Sequence, residues 1–220
     1  EYGDVAVLCR ASFYPEFIAM LMGSPVGLRL GSIGVTANQA DGRGLDAGDL
    51  NGDGRTDVVA GHFDGSIDVL IQDATGTFTA LPRESVGSAI NGLTIADING
   101  DGREDVVVPV PSRAEIWVRL SGQTGSPAST TTEPTHEHPG GGAAVADLTG
   151  DGVRDLVLGH GPHAISVAAG NGDGTFGPPW AYMGQATMLG DVVTADVNHD
   201  GKLDVGAAQP TGAEIFIQGR

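Results

Sequence analysis

The chain has 220 residues, 36 of them glycine, and a formal charge of −17 from 28 acidic and 11 basic side chains. That length can bury a sizeable core in one domain, and glycine at about twice ordinary usage expects many tight turns. The acidic balance argues against nucleic acid as a partner, no stretch approaches the length of a membrane-spanning helix, and the single Cys9 excludes an internal disulfide.

The chain opens in Gly3-Asp4-Val5-Ala6-Val7, the tail of a motif that recurs whole four times further on, with Asp4 in its last position. No signal peptide is visible, as expected of a mature or trimmed chain. Cys9 ends an apolar run, VAVLC, and reads as a small buried hydrophobe rather than a nucleophile. The connection from Cys9 to Ile18 is longer than its later counterparts and carries Phe13, Tyr14 and Phe17. Those aromatics read as cover for the open end of the first unit, or as a stacking surface for a sugar or a partner side chain.

The motif itself has nine residues. Its copies are Asp49–Asp57 (DLNGDGRTD), Asp97–Asp105 (DINGDGRED), Asp147–Asp155 (DLTGDGVRD) and Asp196–Asp204 (DVNHDGKLD), beginning 48, 50 and 49 residues apart. Each has Asp at positions 1, 5 and 9, Gly at 6, and Asn or Thr at 3. Positions 1, 3 and 5 of a tight loop point oxygens inward, position 7 offers its carbonyl, and position 9 closes the cage. The expected ligands are Asp49, Asn51, Asp53, Arg55 and Asp57; Asp97, Asn99, Asp101, Arg103 and Asp105; Asp147, Thr149, Asp151, Val153 and Asp155; and Asp196, Asn198, Asp200, Lys202 and Asp204. Position 7 contributes only backbone, with its side chain pointing away.

An all-oxygen cage of this kind suits Ca2+, which takes six to eight oxygens at flexible geometry, better than Mg2+. Four such ions would bring the formal charge from −17 to −9. An EF-hand shares positions 1, 3, 5 and 6 but needs a bidentate Glu at 12 between helices. Position 12 here is Ala60, Val108, Leu158 or Ala207, inside the apolar runs DVVAG, DVVVPV, DLVLG and DVGAA, which read as short buried strands. Asp, Asn and Gly also make ordinary polar turns, but four copies in register favour the cage. Thr149 is one atom shorter than Asn, so the third loop is expected to be the weakest.

On these residues the chain resembles the FG-GAP/VCBS repeats, the calcium-binding repeats of integrin-alpha-like β-propellers. Asn171-Gly172-Asp173-Gly174-Thr175-Phe176 resembles the turn between the third and fourth strands of such repeats, and Gly206-Ala207-Ala208-Gln209-Pro210 is a loose version of their Gly-Ala-Pro element. The resemblance implies an all-β propeller with blades of four antiparallel strands, a calcium-bearing recognition role, and a seven-bladed ring for the intact object.

The remaining periodicity agrees with a repeat near 49 residues. Ile18, Ile67, Ile116, Ile165 and Ile215 each open an alternating strand: IAMLM, IDVLI, IWVRL, ISVAA and IFIQ. A full unit places strands at 45–49, 57–61, 67–72 and 77–81. One repeat domain over 1–220 then divides into a partial blade at 1–42, blades at 43–92, 93–142 and 143–190, and a partial blade at 191–220. These ends expect a portion of a larger propeller, or strands supplied by further blades or another copy of the chain.

Residues 121–142, rich in Ser, Thr, Pro and Gly, read as an inserted mobile or O-glycosylated loop. Within it His136-Glu137-His138 is a weak transition-metal pattern. Trp117 and Trp180 read as core or sheet-face residues, and His160 and His163 flank Gly161-Pro162 in a strand turn with no nucleophile nearby.

The function expected is a non-enzymatic, calcium-stabilised extracellular or cell-surface module that binds protein or glycan. A structural subunit of a surface fibre and a polysaccharide-active enzyme on a calcium-bearing propeller are the alternatives. No GxSxG, HExxH, CxxC or phosphate-binding glycine loop supports the last.

Overall fold

A computed structural model describes residues 5–11, 14–24, 27–35, 41–135, 138–160, 164–183, 191–209 and 212–218. The fold is an all-β propeller of antiparallel sheets. The first sheet holds β1 (Val5–Ala11), β2 (Tyr14–Ser24) and β3 (Gly27–Val35). The second holds β4 (Gly42–Gly48), β5 (Asp57–His62), β6 (Ser66–Gln72) and β7 (Phe78–Ala80), with the short β8 (Glu84–Ser85) paired to the start of β6.

The third sheet runs β9 (Thr94–Ala96), β10 (Asp105–Val110), β11 (Glu115–Ser121) and β12 (Pro127–Pro134). The fourth runs β13 (Pro139–Ala146), β14 (Asp155–His160), β15 (Ala164–Ala168) and β16 (Trp180–Met183). The last contains β17 (Val192–Ala195), β18 (Asp204–Gln209) and β19 (Gly212–Phe216). The innermost strands β4, β9, β13 and β17 touch one another in succession, so the sheets stand side by side as blades.

β5, β10 and β14 each follow an Asp-rich loop and are buried on both faces, which explains why they are almost wholly apolar rather than alternating. In β10, Val106 and Val108 pack with Val59, Ile67, Val69 and Trp117 against the second sheet. Val107 points the other way and joins Ile116, Val118, Leu156 and Leu158 between the third and fourth sheets. Val157, Ile165, Val205 and Ala207 fill the next interface. Each fully buried Val or Leu contributes roughly 1.5–3 kcal/mol of transfer free energy.

The stretch 121–142 is not an inserted loop. Residues 127–134 form β12, the outer strand of the third blade, with Trp117 opposite Thr132 and Ile116 opposite Glu133. From Pro139 the chain is already in β13, the inner strand of the next blade, so the boundary set at 142/143 falls inside that strand. The polar composition has a positional cause: nearly every residue of β12 is exposed on an outer edge, and Pro127 and Pro134 occupy its two ends. The threonines between them suit an extended backbone.

β1 and β2 also extend through most of the stretch between Cys9 and Ile18, with Tyr14 and Phe17 inside β2. Asp4 and Phe13 lie outside the described residues. Trp117 is in the core, whereas Trp180 is 54% exposed on the outermost strand β16.

Candidate metal centre

Four loops enter the second strands of the blades, and their backbones are folded by their own Asp side chains. In the first, Asp49 Oδ1 accepts from the N–H of Gly52 at 2.8 Å and of Asp53 at 3.1 Å, and Oδ2 accepts from Gly54 at 2.7 Å. Asn51 Oδ1 accepts from Asp53 N–H at 3.0 Å, and Asp53 Oδ1 from Arg55 N–H at 2.9 Å. The second loop repeats this with Asp97, Asn99 and Asp101, and in the fourth Asp196, Asn198 and Asp200 accept from the N–H groups of positions 5, 6 and 7. In the third, Asp147 accepts from Gly150 and Gly152, and Asp151 from Val153.

Two residues of each loop have left-handed backbone. Position 6 is glycine throughout, at φ 80° for Gly54. Position 4 is Gly52, Gly100 and Gly150 in three loops, but His199, at φ 60°, in the fourth. A side chain there carries a conformational cost that glycine does not.

Position 9 is placed differently from positions 1, 3 and 5. Asp57, Asp105, Asp155 and Asp204 are buried at the head of each second strand. One oxygen of each accepts from the N–H of position 2: Leu50, Ile98, Leu148 and Val197. The other accepts from the residue ending or following the third strand: Gln72, Ser121, Gly170 and Gln218. These carboxylates pin loop to blade, a role that sequence reasoning missed because position 9 was read only as a ligand. In the third loop Asp155 Oδ2 also takes the Thr149 N–H at 2.9 Å.

Burial pushes the Asp57 carboxyl up to about 6, against its two backbone hydrogen bonds and with added repulsion from Asp53 and Asp49. Asp105 is raised to about 6 for the same reasons, with Asp101 and Asp97 as the repelling groups. In each of these loops two further carboxylates thus add to the effect of burial on position 9.

At position 7, the side chains of Arg55 and Arg103 do not point away. The Arg55 guanidinium pairs through Nη2 with Asp53 Oδ2, while its Nε donates to Gln72 O at 3.1 Å. Arg103 does the same with Asp101 and with Ser121 O at 3.1 Å. A guanidinium two residues after a carboxylate in a turn that doubles back meets it on the same side. In these two loops the position 5 carboxylate therefore has a tethered cation, whereas Val153 gives the third loop none.

The donors at positions 1, 3, 5 and 9 lie on one loop, yet among the described residues no three His, Cys, Asp or Glu side chains converge closely enough to form a metal site outright. The donor chemistry nevertheless fits a hard cation. All the side-chain ligands are oxygens, the turn is held by backbone hydrogen bonds, and a carboxylate oxygen accepting one N–H keeps a second lone pair. Burial first, and the nearby loop carboxylates after it, disfavour the charge on Asp57 and Asp105, a condition that a divalent ion relieves.

His136, Glu137 and His163 lie outside the described residues, and His138 Nδ1 is 2.6 Å from Pro111 O. His160 is buried, with Nε2 at 2.6 Å from Ser166 Oγ. Two polar clusters were not anticipated. Buried Asp68 takes Arg83 Nε at 2.7 Å and lies 3.0 Å from His62 Nε2. Arg119, buried in β11, donates to Glu84 of β8 at 2.9 Å and so ties the third blade to the second.

Blades of four antiparallel strands, each entered by an Asp-Gly loop pinned at its ninth residue, define a repeat propeller. The FG-GAP-like repeat family matches residues 49–108, 97–158 and 147–207, each match opening on the first Asp of a loop. The chain belongs to that family. No curated protein matches it.

Proposed function

We propose that the four loops bind Ca2+ and that the chain is a calcium-stabilised, non-enzymatic recognition module for an extracellular protein or glycan. The observation that supports this best is the recurrence of one oxygen-rich turn in four blades, with acidic groups at positions 1, 5 and 9 of each. Positions 1, 3, 5 and 9 would supply side-chain oxygens, and position 7 its carbonyl. Bound calcium would supply charge neutralisation and a cross-link between loop and blade. An ion taken only by the folded chain stabilises it by mass action.

The described buried groups do not suggest catalysis. Ser166 and His160 are 4% and 2% exposed, a pair closed to substrate. The reading is tested by calorimetric titration of chelator-stripped protein with calcium, beside Asp53→Ala and Asp200→Ala. The expected result is several ions bound by the parent and one fewer by each variant. Identical titration curves for all three proteins would refute it.

A further inference from the structure

A cavity of about 330 Å3 opens between the third and fourth blades, lined by residues of β11, β12 and β14 and by the turn that follows β15. Its floor is Ile116, Leu156 and Leu158, from the apolar cluster shared by the two blades, and Phe176 and Pro178 form one wall. One acidic side chain interrupts this lining. Glu133 of β12 is paired across the sheet with Ile116, so both side chains lie on the face turned to the cavity.

Glu133 is half-buried, and its Oε2 accepts the Phe176 N–H at 3.1 Å. Burial raises its carboxyl above the usual range despite that bond, and the Asp173 charge raises it further. A negative group is thus held against an apolar wall, under a second negative group on the neighbouring turn. Cavities of roughly 300 Å3 and above, apolar with a single fixed polar group, are typical of ligand sites.

We propose that this cavity is a docking pocket for a lysine side chain of a protein partner. The proposal deepens the recognition reading above by naming the partner's chemistry, and rests on it. Four methylenes suit the Ile116–Leu158 floor, and the ammonium reaches Glu133 at the rim. Lysine fits better than arginine because Glu133 Oε2 is already engaged by a backbone N–H. A compact point charge needs one oxygen, whereas a guanidinium fork is best matched by two. The chain's formal charge, −17 bare and −9 with four calcium ions bound, adds long-range attraction for a basic partner. The volume also leaves room for an apolar residue beside the lysine.

The test uses n-pentylammonium, n-pentanol and pentanoate as probes, followed by a capped Leu-Lys-Leu peptide, in calorimetry and saturation-transfer NMR on the calcium-loaded chain. Pentylammonium is expected to bind, pentanol more weakly, and pentanoate not at all, with the peptide tighter than pentylammonium. Glu133→Gln should weaken the ammonium about tenfold and leave pentanol unchanged, the size of one charge-assisted contact.

Gly177 lines the cavity, is not in the left-handed region, and has only Ala169 O, at 3.5 Å, near the position of an added Cβ. Gly177→Leu should therefore fill the pocket without forcing the backbone and abolish binding of every probe. Equal binding of pentanoate, no effect of Glu133→Gln, or a peptide weaker than pentylammonium would each overturn the proposal. Calcium-induced thermal stabilisation, measured on the same samples, shows separately whether the reading beneath it has failed.

Discussion

Asp49 and Glu104 hold each other twice across two blades. The Asp49 N–H donates to Glu104 Oε2 at 2.7 Å, and the Glu104 N–H donates to Asp49 O at 2.8 Å. The first residue of one loop is thereby fixed by the eighth residue of the next. Gly48 makes room for this, since a Cβ there would stand 1.8 Å from Glu104 Oε2. Glu104→Ala leaves the Asp49 N–H without its charged acceptor and should cost about 1–3 kcal/mol in urea denaturation. Glu104→Gln, which can still accept, should cost less. Gly48→Ala should resemble Glu104→Ala; a neutral Gly48→Ala would contradict the clamp.

Arg55 should oppose calcium in the first loop, because its guanidinium already pairs with Asp53. Arg55→Met removes that competitor while keeping an apolar stem. The expected result is tighter calcium binding at this loop by about two- to fivefold, the scale of an exposed ion pair. Arg103→Met should do the same in the second loop. Unchanged or weaker calcium binding in both variants would show that the guanidinium does not compete.

His199 occupies the position that is glycine in the other three loops, in left-handed backbone. His199→Gly should relieve about 1 kcal/mol of local strain, raise the melting temperature and tighten calcium at the fourth loop. Thermal denaturation of the variant beside Ala74→Gly, an exposed turn residue outside the loops and not in left-handed backbone, distinguishes strain relief from a general effect of glycine.

Asp68 gives a pH dependence of definite sign. Burial alone would raise its carboxyl, but hydrogen bonds from His62 and Arg83, with the Arg83 charge, hold it below the ordinary value. A lowered folded value means stability present above the unfolded Asp pKa of about 3.9 and lost as pH falls through the lowered one. Arg83→Met should reduce stability at pH 7 by about 1–3 kcal/mol and flatten the loss as pH falls below about 3.9. A variant that retains the full acid-side slope would assign that slope to other carboxylates.

Much of the blade was legible because its signals are local. The DxNxDG pattern announces a tight loop, and DVVVPV can only be a strand buried on both faces. What stayed hidden depends on position in the assembled blade. The Ser-Thr-Pro run of β12 has loop-like composition and becomes a strand because the exposed edge of β11 offers it a ladder. Asp57 reads as a ligand alone, and its second role as a pin shows only with Gln72, fifteen residues away, donating to it. The turn that brings Arg55 onto Asp53 is set by two left-handed glycines, and spacing alone did not reveal the contact.

The central claim is that calcium holds these loops, and thermal denaturation tests it most directly. Protein stripped with chelator should melt at a lower temperature than the same protein in millimolar calcium, with magnesium restoring little of the difference. Simultaneous alanine replacement of Asp49, Asp97, Asp147 and Asp196 should abolish the calcium response. Superimposable melting curves for the parent with chelator and with calcium would contradict the account.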